Sequence, residues 1–205
     1  GPFCVDDIPV AIVTAEPGTL SGPGVVGGTF DPNLAGPGTH TITNTIVDIC
    51  DGDIATIDVV VNPLPEVEFS VNENAGCIPV DLIFTNETAL GDSCFWSFGD
   101  GSTSSFCGPV SHAYVSAGLY DVSLTIVDAN GCSTTTTYYD FIEASPIPNA
   151  NFVYAPTTVT TTDPTVRFKD VSTGADFWDW NFDDIGTSTD QNPIFAFPDA
   201  EGEYL

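Results

Sequence analysis

A six-residue motif occurs twice in the chain, and its two copies start 84 residues apart. Residues 96–101 read WSFGDG, and residues 180–185 read WNFDDI. Each copy follows a segment of alternating apolar residues and precedes aromatic residues that stand next to glycine. A period of this length, with aromatic residues at alternate positions and glycine in the turns, indicates tandem β-modules. The repeat therefore predicts several small β-domains in series.

The chain is strongly acidic, yet its composition is that of a folded protein. Its 205 residues include 29 Asp and Glu against 2 Lys and Arg, which gives a formal net charge of −27. Such a chain cannot neutralise phosphates, so nucleic acid is excluded as a partner and an anionic membrane surface is disfavoured. Hydrophobic residues make up 42% of the chain, which predicts folded domains with acidic surfaces. No apolar run is long enough to span a bilayer, so no membrane insertion is expected.

Two proline-rich joints divide the sequence into three predicted modules, residues 1–62, 63–145 and 146–205. The joints are residues 62–65 (NPLP) and 145–148 (SPIP), and short linkers of this kind favour extended backbone. The third module is expected to be truncated at its C-terminus, because it stops where the second continues through residues 121–126. Many short strands with Gly- and Pro-containing turns predict an all-β fold of Ig-like sandwich modules, arranged as an elongated array.

No window of ten residues shows a helical period, and the Gly and Pro residues between 21 and 38 rule out a helix there. In the second module, which carries the first copy of the motif, Trp96 and Phe98 point to one face of a strand, and Gly99, Asp100 and Gly101 form the turn. Trp180 and Phe182 repeat this pattern. The alternating phase predicts the core of the second module at Phe69, Phe84, Trp96, Phe98, Tyr120, Val122 and Leu124.

Six cysteines are present: Cys4 and Cys50 in the first module, and Cys77, Cys94, Cys107 and Cys132 in the second. An even count in each module, with no Cys-x-x-Cys, indicates disulfides in an oxidising compartment rather than zinc. In a hairpin whose turn residues are 100 and 101, Cys94 and Cys107 would face each other directly. The remaining predicted pairs, Cys4–Cys50 and Cys77–Cys132, keep each bridge within one module.

Candidate sites for chemistry are few. The carboxylates that could supply oxygen ligands to calcium are Asp51, Asp53, Asp183 and Asp184. Neither pair fits the 12-residue calcium loop with its closing Glu, so solvated turn residues are the preferred interpretation and calcium at a module joint is the alternative.

His40 and His112 lie in different modules without a second ligand at metal spacing. No serine-nucleophile motif is present, and no Gly-rich loop precedes a helix. We therefore expect no catalysis and no cofactor other than calcium.

Three tryptophans offer surfaces on which sugars could stack. Trp96 and Trp180 stand in the core phase of their strands, so their burial is predicted. Trp178 aligns with Cys94, and its exposure is left open by the sequence.

The motif at 96–101, followed by His112-x-Tyr114 and Gly118-x-Tyr120-x-Val122, resembles the PKD domain, an immunoglobulin-like β-sandwich. The resemblance covers residues 66–144 closely and residues 149–205 as an incomplete second copy. In the second copy Asp183 and Ile185 replace the two glycines, which suggests a longer or differently shaped turn. Residues 1–62 resemble, more loosely, an Ig-like repeat that accompanies PKD repeats.

The Gly-Cys pairs at 76–77 and 131–132 are similar to those in disulfide-bearing PKD repeats of very large surface proteins of gliding bacteria. Such proteins are exported by type IX secretion and include motility adhesins. The resemblance implies a non-catalytic stalk or adhesin segment of an extracellular, cell-surface protein. The implied partners are neighbouring repeats of the same long chain, surface polysaccharide, and motility or secretion machinery. The alternative is an accessory carbohydrate- or protein-binding module of a secreted hydrolase.

Overall fold

The computed structural model describes residues 2–47, 52–88, 93–160 and 162–198. Within these residues the chain is almost entirely β, which confirms the predicted all-β fold of Ig-like, PKD-type sandwich modules. The chain separates into two compact units, residues 1–144 and 145–205. None of the helices found there is long and apolar enough to cross a membrane, as far as the described residues show.

The first part of the first unit, residues 3–62, is called module one below. Its two sheets have the strand orders β1-β7-β6-β3 and β2-β5-β4. A long antiparallel hairpin of β6 and β7 dominates it, with Gly38 opposite Val61 and Val47 opposite Gly52. Its small core is built on Phe30, Ile42 and Val61. The strands are β1 (Phe3–Cys4), β2 (Val10–Ala11), β3 (Thr19–Ser21), β4 (Val25–Val26), β5 (Thr29–Phe30), β6 (Gly38–Val47) and β7 (Gly52–Asn62).

Module one also contains a short helix, α1 (Pro32–Ala35), where the sequence argued against one. The Asp31 carboxylate accepts hydrogen bonds from the backbone N–H groups of Asn33 and Leu34, at 3.0 and 3.3 Å. Proline stands in the first turn and Gly36 ends the helix. An Asp-Pro start followed by Gly is a helix-capping pattern, and it was outweighed in the prediction by the overall Gly and Pro content.

The second part of the first unit, residues 66–144, is called module two below and is a sandwich of two sheets. Their strand orders are β13-β10-β8 and β12-β11-β14-β15-β9. The β14–β15 hairpin turns at Asp128–Gly131, where Asp128 N donates to Cys132 O at 2.9 Å. The strands are β8 (Phe69–Val71), β9 (Ala75–Cys77), β10 (Val80–Asn86), β11 (Ser93–Ser97), β12 (Thr103–Ser104), β13 (Val110–Tyr114), β14 (Gly118–Val127) and β15 (Ser133–Ser145).

The core of module two follows the predicted alternation with one exchange. Six of the seven predicted residues are buried: Phe69, Phe84, Trp96, Phe98, Val122 and Leu124. Tyr120 is only half-buried, because its hydroxyl donates to Ser116 O at 2.7 Å. Tyr114 is fully buried in its place. Since both tyrosines lie on strand faces that meet the core, the sequence alone did not rank them.

The second unit repeats part of this arrangement. Its two sheets have the orders β16-β17-β20 and β18-β19, and they correspond to β8-β10-β13 and β11-β12 of module two. The strands are β16 (Phe152–Ala155), β17 (Thr165–Asp170), β18 (Trp180–Asn181), β19 (Thr187–Ser188) and β20 (Ile194–Ala196). The division into three modules at residues 62 and 145, and the truncation of the third, stay predictions; the C-terminal end on which the truncation rests lies outside the described residues.

Candidate functional site: the aromatic motif and the cysteine bridges

The WSFGDG motif forms the end of β11 and a tight turn. Trp96 is fully buried, and its Nε1 donates to the carbonyl of Phe106 at 3.1 Å. Phe98 N donates to Ser102 O at 3.1 Å and closes the turn. Gly99 has φ 83°, and a Cβ there would collide with the carbonyl oxygen of Asp121. Glycine is thus needed at position 99 both for its backbone angle and for the close approach of β14.

A disulfide joins Cys94 to Cys107 beside this turn, with a Cα–Cα distance of 5.3 Å. The pair Cys94–Cys107 is the predicted one, but the two cysteines are not directly opposed across the hairpin as expected. Trp96 faces Ser104 and Ser97 faces Thr103, so the hairpin is centred on Asp100 and Cys94 is one residue out of direct opposition to Cys107. Because β12 ends at Ser104, the chain after it leaves the ladder and brings Cys107 within bonding distance.

Asp100 and His112 make a polar contact across the turn. His112 Nε2 and Asp100 Oδ2 are 2.9 Å apart, and the imidazole stacks on the Phe98 ring at a centroid distance of 4.3 Å. Burial opposes ionisation of Asp100, but hydrogen bonds from Ser102 N–H and from His112 outweigh it and hold its pKa below the usual value. The pair therefore acts as a local clasp between the motif turn and β13.

Tyr114 connects the same turn to the core. Its hydroxyl donates to the carbonyl of Phe98 at 2.8 Å. Burial, with the nearby Asp100 and Tyr120, raises the pKa of Tyr114 well above its ordinary value. The phenol therefore stays a neutral donor, and this contact is structural rather than catalytic.

The second disulfide joins Cys4 to Cys132, with a Cα–Cα distance of 5.5 Å. The predicted pairs Cys4–Cys50 and Cys77–Cys132 are therefore wrong. β1 runs parallel to the end of β7, with Phe3 opposite Val61 and Cys4 opposite Asn62. This pairing carries Cys4 to the joint with module two.

Cys132 comes to the same joint from the other side. It follows the β14–β15 turn at the end of module two where Val67 lies, since Thr136 Oγ1 donates to Val67 O at 3.0 Å. The joint disulfide, Cys4–Cys132, thus crosses from one module to the next. Its loop spans 128 residues, which the chain-entropy model values at about 5 kcal/mol.

Cys77 is free and exposed. It lies on β9, beside the far end of β15, where Glu143 N donates to Asn74 O at 2.8 Å. Cys132 precedes the first residue of that 13-residue strand, so Cys77 and Cys132 are roughly 40 Å apart along it. Cys50 lies outside the described residues. Cys77 has the same place beside the last strand of module two that Cys4 has in module one.

The second unit reproduces the motif geometry closely. Trp180 Nε1 donates to Asp190 O at 2.8 Å, and Phe182 N donates to Gly186 O at 2.9 Å. The turn thus keeps the length of the first copy, although a longer turn was one expectation. Asp183 and Asp184 hold φ angles of 53° and 60°, in the left-handed region where Asp is better tolerated than most residues. The turn differs in composition, but it closes with the same hydrogen bond.

The aromatic cluster of the second unit faces an open cleft of about 1260 Å³. Trp178 and Trp180 are both half-buried, so the predicted burial of Trp180 is only partial. Hydrogen bonds from Ser172 and Gln191 hold the pKa of Asp170, at the rim, to about 2. The aromatic residues that line the cleft are Phe152, Tyr154, Phe168, Phe177, Trp178, Trp180, Phe182 and Phe197.

The candidate calcium ligands do not come together in the described residues. Asp53 Oδ1 accepts from Ile54 N, and Asp184 Oδ1 accepts from Asn181 Nδ2 at 2.9 Å. Asp183 is exposed, and Asp51 lies outside the description. The one group of three acidic or sulfur ligands found within the described ranges is Cys4, Asp6 and Asp7, and its sulfur is already in the joint disulfide. Calcium stays an untested alternative.

Comparison with known proteins gives a family for one part of the chain. Residues 60–142 match the family model of the PKD domain. A microbial collagenase of Vibrio alginolyticus is 34% identical over 91 residues, which cover 42% of this chain and 11% of the collagenase. The chain therefore spans about a tenth of the length of that relative.

Two solved structures are similar over a comparable share of the chain. The PKD1 domain of the Vibrio cholerae metalloprotease PrtV is 26% identical, with a TM-score of 0.33, over 40% of this chain and 99% of that domain. The PKD1 domain of Vibrio anguillarum Epp is 30% identical, with a TM-score of 0.33, over 40% of this chain and 95% of that domain. The family match falls on module two, with its WSFGDG turn and two-sheet core. Residues 60–142 are therefore similar to the PKD domain over nearly the whole of module two.

Proposed function

We propose that this chain is a non-catalytic stalk or adhesin repeat segment of a large, secreted cell-surface protein. The PKD domain is a non-catalytic module, and its motif recurs in the second unit with the same hydrogen bonds. The acidic surface suits a spacer, because like charges on successive modules repel one another and oppose their collapse. Disulfides at Cys4–Cys132 and Cys94–Cys107 support an extracellular location.

The joint disulfide is the observation that carries this proposal. A domain that only binds a ligand has no need of a covalent bond to the module before it. A segment that must keep its modules in line against shear and proteolysis gains directly from such a bond. Cys4 and Cys132 lie on either side of the joint at residues 62–65, which is where a hinge would otherwise form.

We propose further that the parent protein is a type IX-secreted, gliding-motility adhesin. The support is the resemblance of the Gly-Cys repeats to those of such proteins. Its partners would be neighbouring repeats, surface polysaccharide, and the motility or secretion machinery. An antibody raised against the purified chain should label intact cells of the source organism, and the label should disappear when secretion is blocked. Label confined to lysed cells would contradict the surface assignment.

An accessory binding module of a secreted hydrolase is the second candidate. The 34% identity to part of a collagenase favours it, and so do the exposed aromatic residues of the second unit. Phe177 is 92% exposed and lies at the cleft, where a flat ring could stack on a sugar or a peptide.

Retention on insoluble polymers separates the two candidates. The purified chain is mixed with insoluble collagen, cellulose and chitin, with and without a calcium chelator, and the bound fraction is measured. The spacer proposal expects no retention above that of an unrelated acidic protein. Retention that falls at least tenfold in Phe177→Ala would overturn the spacer in favour of the binding module. Retention lost only with the chelator would bring in calcium.

A further inference from the structure

The covalent connections of the first unit determine which residues carry tension when the chain is pulled at its ends. Force applied to residue 1 reaches Cys4 and meets a branch, because Cys4 is bonded both to Val5 and, through sulfur, to Cys132. The route through residues 5–131 is long and folded. The route through the disulfide is a few bonds long. Tension follows the shorter taut path, so residues 5–131 form a closed loop in parallel with the disulfide.

The path after Cys132 is equally direct. β15 starts at Ser133 and ends at Ser145, which is the first residue of the second unit. Force therefore enters β15 at one end and leaves it at the other. The strand is already extended, apart from an irregularity at Asp140, whose φ is 48°. Pulling a strand along its own axis from both ends does not require its hydrogen bonds to β14 to break.

We propose that the joint disulfide makes residues 1–145 a strut that does not lengthen under tension. Module one and strands β8 to β14 are shielded from the pull, and one extended strand transmits it to the following unit. The biological meaning of this inference rests on the proposed stalk function, but the mechanical behaviour can be tested by itself. It assigns to Cys4 and Cys132 a function beyond stability, which is to remove two folded modules from the tension path.

The inference is consistent with where the other disulfide lies. Cys94–Cys107 encloses 13 residues within the loop closed by Cys4 and Cys132. A bridge inside a shielded loop adds nothing to the resistance of the strut. The two disulfides therefore make opposite predictions in a pulling experiment, and one serves as the matched control for the other.

The test is single-molecule stretching of the whole chain, held at its two termini. In the oxidised protein only the second unit should unfold. The length that it releases is the internal reference for each molecule. In Cys4→Ser/Cys132→Ser, the pull should release 115 further residues, the 128 of the large loop less the 13 still enclosed by Cys94–Cys107. At 3.3–3.6 Å per residue this adds roughly 380–410 Å of contour length. Cys94→Ser/Cys107→Ser should show the same extension as the oxidised protein.

A second measurement guards against a variant that fails to fold. Wild-type protein is held at constant force, and a dithiol reductant is added. The dithiol is oxidised to its cyclic disulfide while Cys4 and Cys132 each regain a thiol, and the hidden length should appear in the same molecule. Peptide mapping without reductant must recover the Cys4–Cys132 pair from the starting protein.

Three outcomes would overturn the inference: a mapped pair other than Cys4–Cys132, full extension of the oxidised protein, or no added length after removal of the bridge. A mapped pair other than Cys4–Cys132 would also remove the observation that carries the stalk proposal. The other two outcomes would leave that proposal standing, because neither bears on the polymer-retention assay or on surface labelling.

Discussion

Module two and the second unit contain the same aromatic cluster, which is buried in module two and partly exposed in the second unit. The rings of Phe84 and Trp96 lie 6.0 Å apart at 55°, and those of Phe168 and Trp180 lie 5.7 Å apart at 55°. Their exposure differs nevertheless. Phe69 is 5% exposed, whereas Phe152, the equivalent residue of the second unit, is 48% exposed.

The difference in exposure is explained by a strand that lies beside β11 in module two and has no counterpart among the described strands of the second unit. In module two, β14 pairs along the whole of β11 and adds Val122, Leu124 and Ile126 to the buried core that contains the rings. In the second unit, β18 pairs with β19, and no described strand lies along its other edge. The comparison shows that ring geometry is set by the motif and its own sheet, while burial is set by the strands that follow.

Removal of the central tryptophan should separate the two copies most strongly. Trp96→Ala removes a fully buried side chain and should cost about 3–5 kcal/mol. Trp180→Ala removes a half-buried one and should cost about half as much, because water already reaches part of the ring. Amide hydrogen exchange followed peptide by peptide gives the opening free energy of each unit separately. Equal losses in the two units would mean that exposure of Trp180 has no energetic consequence.

A covering strand supplied to the second unit should remove that difference. Tyr204 aligns with Tyr120, so a copy of residues 122–145 appended after Leu205 continues the repeat in register. In the extended chain, Trp180→Ala should cost about 2 kcal/mol more than in the parent, as its ring loses its access to water. The control is the same extension with Asp at the positions copied from Val122, Leu124 and Ile126. If the control behaves like the apolar extension, burial by β14 is not the cause of the contrast.

The first position of the motif turn offers a smaller but cleaner comparison. Gly99→Ala places a Cβ in the left-handed region and against the backbone of Asp121, and should destabilise module two by about 2–4 kcal/mol. Asp183→Ala changes the corresponding residue, which already has a Cβ at φ 53°, and should cost less than about 1 kcal/mol. The same exchange measurement applies. Similar costs at both sites would show that contact with Asp121 is unimportant.

The sequence predicted the fold because strand alternation and turn glycines are local signals. The alternating phase of their strands alone placed Trp96, Phe98, Val122 and Leu124 in the core. The short helix at Pro32 was missed, although Asp31 signalled it, because composition over a longer window was given more weight than the capping pattern.

The disulfide connectivity could not be predicted in the same way. The joint bridge depends on the parallel pairing of β1 with the end of β7, a contact between residues about 60 positions apart in sequence that has no local signal. Because a disulfide can join two successive modules, an even number of cysteines within one module does not show that they pair with one another. Cys77 stands beside β15 as Cys4 stands beside β7, so a bridge of the same kind from Cys77 would need a cysteine in a following module.

The smallest expected effect concerns the polar clasp, which is present in one copy only. Asp100 and His112 are in contact in module two, whereas the position of His112 is taken by Phe195 in the second unit, stacked on Phe182 at 4.2 Å. The folded-state pKa of Asp100 lies below its unfolded value. A depressed carboxylate pKa adds stability that is fully present above the unfolded pKa, near 3.9, and that is lost as pH falls through the folded pKa.

Asp100→Asn should therefore destabilise module two at pH 5 and above, and the difference from wild type should shrink as the pH falls below about 4. His112→Phe makes module two resemble the second unit at this point and keeps a ring stacked on Phe98. In that background Asp100→Asn should cost less, because one of the hydrogen bonds that favour the ionised carboxylate is already gone. The four proteins of this cycle are compared by hydrogen exchange, with the same exchange time for all four at any one pH. An undiminished cost in the His112→Phe background would assign the lowered pKa of Asp100 to the hydrogen bonds from Ser102 alone. The two turns would then differ in sequence without differing in how they are held.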